Sequence, residues 1–286
     1  MDNLYKIKNT LYLNPSKEYE DKNLYPDFQI KIESFKEQIL KSLKLNSSET
    51  YLRLGDGDYY FLNKIPKGSA KPGKRALKKP YSKINLEPFS EGFKKNDNYL
   101  GLITKDHLTR FKTLIPEGPD FPIEIIYGLI ANKWFFQNIT KKIGLIGAKP
   151  KLKMIEQLLK HDEYKEYLKI DEFNDYIYID QNFACDNLEK TKKKIFKQLR
   201  KSDSDIYLIG VGHVKLGLLH ELKKIKPAMY LDIGVGIDAL AGIVNIYRPY
   251  FGNWKNFQLQ KSLQYHKKLD ILINNFGSFG DVYTIK

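Results

Sequence analysis

Residues 206–234 run Ile206-Tyr207-Leu208-Ile209-Gly210-Val211-Gly212-His213, then an apolar-spaced stretch from Val214 to Lys224, then Met229-Tyr230-Leu231-Asp232-Ile233-Gly234. Two short, continuously apolar runs ending in glycine, joined by a segment of helical period, predict a strand–helix–strand unit. Strands without polar alternation are those covered on both faces, so the unit belongs in a parallel sheet sandwiched by helices. The same alternation continues upstream. Tyr176-Ile177-Tyr178-Ile179 predicts a strand followed by a helix over 186–201, and Ile143-Gly144-Leu145-Ile146-Gly147 a strand followed by a helix from about Pro150 to Leu159. Tyr99 to Ile103 predicts another strand, and 122–138, with Pro122 at the first helical position, a helix. A helix over 27–43 precedes a strand at 50–54, and one near 237–243 follows the last strand.

Helices and strands in this order predict an α/β, Rossmann-like, doubly wound, mostly parallel sheet flanked by helices. The expected layout is a helical extension over 1–44, one catalytic domain over 45–255, and an irregular segment over 256–286 packing on it.

A chain of 286 residues with 42% hydrophobic and 13% aromatic residues is long and apolar enough to build a proper core, which excludes a disordered protein. The single cysteine, Cys185, excludes an internal disulfide framework and any multi-cysteine zinc site. It fits a reducing, cytoplasmic setting, as does an acidic and polar beginning without a secretory signal. No run approaches the roughly 18 apolar residues that span a bilayer. The formal charge of +14 suits an anionic partner, although lysines such as Lys190, Lys193 and Lys197 follow the spacing of a solvated helix face.

Ligands of doubly wound sheets bind beyond the carboxyl ends of the strands. Four of the predicted strands end there in glycine and a polar group: Gly55-Asp56-Gly57-Asp58, Gly147-Ala148-Lys149, Gly210-Val211-Gly212-His213, and Asp232-Ile233-Gly234-Val235-Gly236-Ile237-Asp238. The first follows Tyr51-Leu52-Arg53-Leu54, and glycines at 55 and 57 allow positive φ and close approach of a ligand. Two carboxylates flanking a glycine suit a hard divalent cation carrying a diphosphate. The alternative is a surface turn, since Asp-Gly is a common turn pair. Gly210 and Gly212 open a helix whose N–H groups suit phosphate, with His213 as a donor beside it; a tight strand–helix turn is the alternative. The basic stretch 64–85, rich in Pro and Gly and containing Arg75, follows the acidic block and is placed either to fold over an anion or to serve as a linker.

Arg53-Leu54-Gly55-Asp56-Gly57-Asp58 near one end and Tyr230-Leu231-Asp232-Ile233-Gly234 near the other resemble the GT-D-type glycosyltransferases. That family carries an Arg-x-Gly-Asp-Gly-Glu block holding an Asp-x-Glu metal motif, a glycine-rich turn, and an Asp-Ile-Gly block. Gly210-Val211-Gly212-His213 stands where the family has its glycine turn, and Asp238, Gly242 and Arg248-Pro249-Tyr250 match the tail of the pattern loosely. The resemblance spans roughly 45–255, and Asp58 replaces the family's glutamate. It implies a metal-dependent transferase that passes a sugar from a nucleotide-diphosphate donor, a uridine one foremost, to a glycan or other hydroxyl. By that resemblance Asp56 and Asp58 would hold Mn²⁺ or Mg²⁺. Arg53, Gly55, Gly57, Arg75, Gly210, Gly212, Gly234 and Arg248 would receive the donor. Asp232, Asp238 and His213 are the catalytic candidates, with Asp232 alternatively anchoring a turn.

Two other functions remain open on the residues alone. Leu231-Asp232-Ile233-Gly234-Val235-Gly236 is similar to the first motif of S-adenosylmethionine methyltransferases, although that motif belongs to a first strand and only about 50 residues follow here. A non-catalytic binder of nucleic acid or anionic membrane would use the net charge, but acids clustered on one rim repel phosphate unless a cation intervenes. A nucleic-acid partner is therefore not expected.

Overall fold

The computed structural model describes residues 28–73, 76–101, 105–123, 125–126, 129, 134–160, 162–180 and 183–241. Helix α1 (Phe28–Lys44) leads into strand β1 (Thr50–Leu54), and α2 (Asp56–Leu62) begins one residue later. Two single-turn 3-10 segments, Gly68–Ala70 and Tyr81–Lys83, come before α3 (Glu87–Phe93), β2 (Asn98–Gly101), α4 (Lys105–Leu114) and β3 (Phe121–Pro122). The chain continues through α5 (Trp134–Asn138), β4 (Ile143–Ala148), α6 (Lys149–Leu158), α7 (Asp162–Leu168) and β5 (Asp175–Ile179). Then follow α8 (Leu188–Leu199), β6 (Ile206–Gly210), α9 (Lys215–Ile225), β7 (Met229–Asp232) and α10 (Gly236–Leu240).

The strands form one seven-stranded sheet in the order β3-β2-β1-β7-β6-β4-β5, and every neighbouring pair is parallel. Side chains alternate between the faces, so each strand feeds two apolar layers. Tyr51, Leu145, Leu208 and Leu231 enter one layer, with α1, α6 and α10. Leu52, Ile146, Tyr207, Ile209 and Tyr230 enter the other, with α2, α3, α8 and α9. This two-sided burial is the physical reason the strands read as unbroken apolar runs.

Helix α1 belongs to this core. Phe35 is fully buried and meets Tyr51 and Phe121 edge-on, at ring-centroid distances of 5.7 and 5.0 Å. Burying a phenylalanine contributes roughly 2–3 kcal/mol, enough to fix the helix across β1 and β3.

Strand β1 exits into α2 on one face, where Phe61 is buried, and β7 exits into α10 on the other, where Ile237 and Leu240 are buried. Adjacent central strands whose exits diverge leave a crevice between their carboxyl ends, the switch point at which such sheets bind ligands.

Two local expectations are corrected. Pro122 joins Phe121 in the short edge strand β3, a position where a missing N–H is tolerated. The expected helix begins directly behind it, with Ile123, Ile125, Ile126 and Leu129 helical. The acidic block is no surface turn. Asp56 and Asp58 occupy the first turn of α2, where negative charge is favourable. Gly55 has φ −112°, extended rather than left-handed, and among described glycines positive φ occurs at 68, 73, 118, 212 and 234. Among the described residues no helix is long and apolar enough to cross a membrane.

Candidate active site

Helix α2 starts as it does because Asp58 folds back on its own entry. Its Oδ2 accepts the Gly55 backbone N–H at 3.0 Å, satisfying a donor that a helix start leaves bare. Phe61, on the next turn, is fully buried and fixes the helix to the sheet. Asp58 thereby points inward and is only 4% exposed.

There it meets Lys215, the first residue of α9, which is 1% exposed. The Lys215 ammonium lies 3.1 Å from Asp58 Oδ2 and 2.7 Å from Asp232 Oδ2, and also donates to the Arg53 carbonyl. Two of its protons are hydrogen-bonded, to the Arg53 carbonyl and to Asp232, and Asp58 pairs with its charge. Asp232 is fully buried at the end of β7; its Oδ1 accepts the Gly234 N–H at 2.9 Å, and its Oδ2 lies 3.8 Å from Arg53 Nε. Two carboxylates and two cations thus balance within one buried cluster. Desolvation costs several kcal/mol per ion, so the cluster persists only because each charge is paired with an opposite one. Burial alone would raise the Asp58 pKa. Lys215, then His213 and Arg53, outweigh it and hold the carboxyl well below the usual range.

The other Asp58 oxygen holds His213. Asp58 Oδ1 and His213 Nδ1 are 2.8 Å apart, and His213 Nε2 is 3.1 Å from Ser69 Oγ. The His213 ring stacks on Phe61 with centroids 5.0 Å apart and planes 11° from parallel. Gly57 makes this approach possible: a Cβ there would collide with Ser69 Oγ and sit 3.0 Å from His213 Cε1. His213 is buried, whereas Ser69 is exposed on its 3-10 turn.

Asp56 faces another way. Its half-exposed carboxylate takes His107 Nε2 at 2.7 Å and Arg110 Nη1 at 3.0 Å on Oδ1, both from α4. Partial burial acts to raise its pKa, but His107 and Arg110 prevail and lower it. As placed, Asp56 and Asp58 do not suit a shared divalent cation. Asp58 has both oxygens occupied, one by a buried ammonium that would repel a metal, and Asp56 is paired with α4. Among the described residues no group of three or more His, Cys, Asp or Glu is set to hold a metal ion.

The remaining expected residues divide. Gly234 has φ +50°, and the Arg53 guanidinium occupies the space that a side chain at 234 would need. Gly212 has φ +64° and makes the tight turn into α9. Gly210 packs against the β7–α10 turn, where a Cβ would be 2.6 Å from Ile237 Cγ1. Asp238 is not in the cluster; it pairs with Lys151 and ties α10 to α6. Asp232 takes the turn-anchoring role left open above. Arg75 and Arg248 lie outside the described residues, as does the segment after 241. Cys185 is buried, and burial pushes its thiol pKa up, which makes it a core residue. The basic stretch is anchored: Ala70 and Leu77 are fully buried, and Asp186 accepts the Lys78 N–H at 3.1 Å.

Lys215, Ser69, His107 and Arg110 were not foreseen. Lys215 did leave a signal, a lysine inside the apolar run Val214-Lys215-Leu216-Gly217-Leu218-Leu219, where an unpaired charge has no place. Ser69 left none, because its turn lacks periodicity and its partner is 144 residues away.

Compared with known proteins, the chain matches no family model, no curated protein and no solved structure.

Proposed function

We propose that this protein is a glycosyltransferase that takes its sugar from a nucleotide-diphosphate donor, foremost a uridine one, and delivers it to a hydroxyl of a glycan. The observation that carries this is the Asp58–Lys215–Asp232 bridge. It draws the two sequence blocks behind the family resemblance, 174 residues apart between Asp58 and Asp232, into one cluster at the β1–β7 switch point. Sequence similarity alone did not require those blocks to meet.

When a glycosidic bond to a diphosphate breaks, negative charge gathers on the leaving group, and catalysis consists largely of meeting it with preorganised donors. Arg53 is the cation suited to this. Its side chain is 18% exposed, and it lies across Gly234 with its backbone locked by Lys215 and Asp232. Arg110 adds positive charge at the outer edge, next to Asp56, with the His107 ring beside it. Lys215 is too deeply buried to touch a donor; it positions Arg53. No step is assigned to a metal, since Asp58 is already saturated by Lys215, His213 and the Gly55 N–H.

The test is a thermal-shift series with nucleotide sugars, in chelator and in Mn²⁺. A uridine-diphosphate sugar should raise the melting temperature in chelator. A shift seen only with Mn²⁺ would mean that Asp58 leaves Lys215 to take the ion. No shift with any donor under either condition would remove the transferase proposal.

A further inference from the structure

We infer that Ser69, His213 and Asp58 form a nucleophilic triad, giving the protein an acyl-transfer or esterase activity on carboxylic esters or thioesters. The geometry has three elements that such chemistry uses: a nucleophile in contact with a base, a base in contact with an orienting carboxylate, and exposure of the nucleophile.

The protonation pattern follows from the contacts. Asp58 accepts the Gly55 N–H on Oδ2 and is ion-paired there with the Lys215 ammonium, as an ionised carboxylate is, so Oδ1 accepts the hydrogen bond of His213 Nδ1–H. With the ring neutral, the other nitrogen, Nε2, presents its lone pair to the Ser69 hydroxyl at 3.1 Å. That is the tautomer a general base requires. The ring is fixed on two sides, by Asp58 through its edge and by Phe61 across its face. Ser69 follows Gly68, whose φ of +55° sets up the short turn that carries the serine over Gly57. An ordinary surface serine would not need a glycine so close beneath it. Lys67 and Lys71, both exposed, flank the turn and favour an acyl donor with an anionic portion.

The reaction balances without a co-reactant other than water. Ser69 Oγ forms a bond to the ester carbonyl carbon while its proton passes to His213 Nε2. The leaving alcohol or thiol departs with that proton as its bond to carbon breaks. Water then attacks the acyl-serine, gives a proton to His213, and releases the acid as the Ser69 hydroxyl is restored. Ser69 and His213 are the catalytic residues; Asp58 is a positioning residue.

The test needs no nucleotide sugar, so its outcome is separate from that of the transferase proposal. The full chain is treated with a fluorophosphonate probe, and the adduct is mapped by peptide mass spectrometry. An adduct on Ser69 is expected, absent in Ser69→Ala, whose exposed side chain can be removed without disturbing the fold. In His213→Gln, checked for folding by its melting temperature, the labelling rate should fall on the order of a hundredfold or more. In the wild-type protein the labelling rate should fall as pH drops and His213 takes a proton on Nε2. Asp58→Asn, checked for folding in the same way, should label more slowly than wild type across that profile, which a packing role alone would not produce. No adduct on Ser69, or labelling at the wild-type rate in folded His213→Gln, overturns the triad.

Discussion

The ammonium of Lys215 lies 2.7 Å from Oδ2 of Asp232, and neither side chain is more than 2% exposed. An ion pair this deep is costly to break, because removing one partner strands the other charge away from water. Lys215 also serves Asp58, so its loss strands two carboxylates.

Lys215→Met is therefore expected to destabilise the fold by about 3–5 kcal/mol, measured by urea denaturation. Lys215→Met combined with Asp232→Asn should recover part of that loss, since the two residues are in contact and their effects are not additive. A single mutant within about 0.5 kcal/mol of wild type would mean that the cluster is solvated and the pairing incidental.

Gly234→Ala combines a left-handed φ of +50° with a Cβ placed directly against the Arg53 guanidinium. Backbone strain and overpacking each cost roughly 1–3 kcal/mol, and Arg53 must move. Lower stability and weaker donor binding should appear together. Gly57→Ala should cost less stability, because Ser69 sits on an exposed turn that can yield, but should separate Ser69 from His213. Denaturation of both variants, with fluorophosphonate labelling of the second, checks this.

His220 gives the fold a pH dependence. Burial first of all, with Lys192, Lys95 and Lys224 adding to it and Glu221 opposing, brings its pKa down to about 4. The unfolded chain, with an ordinary histidine near 6.5, binds the proton more readily. Stability is thus fully present above about pH 6.5 and declines as pH falls toward 4, by an amount on the order of 2–3 kcal/mol. Asp58, also depressed, adds a further loss at pH values below the ordinary carboxylate range. Denaturation from pH 7 to pH 4 should show a loss that is smaller in His220→Gln.

The central strands were legible because both of their faces are covered. Ile143–Ala148 and Ile206–Gly210 are almost wholly apolar residues and glycine, and each is buried along its whole length. Edge strand β3 was not legible, since two residues carry no period and the helix that Pro122 announces begins right behind it, at Ile123. Helix α2 was missed for a related reason. Gly55-Asp56-Gly57-Asp58 has turn composition, and what makes it helical is the Asp58 back-bond and the burial of Phe61, both facts of the folded chain. In the site, Arg53, Asp58, His213, Asp232 and Gly234 were all marked by glycine-ended strands. The geometry reassigned Asp58 as the partner of Lys215 and His213, because a carboxylate two residues from another on a helix points elsewhere. Asp238 was a misleading neighbour: it follows the same strand but leaves on the opposite face.

The central claim is that Arg53, held at the β1–β7 crevice, receives a nucleotide diphosphate. Calorimetric titration of a uridine-diphosphate sugar into the wild-type protein and into Arg53→Met tests it most directly. Loss of a charge-assisted hydrogen bond of about 1.5–3 kcal/mol predicts saturable wild-type binding, weakened on the order of tenfold to a hundredfold in the variant. Equal affinity in the two folded proteins, or no binding to either, would contradict it.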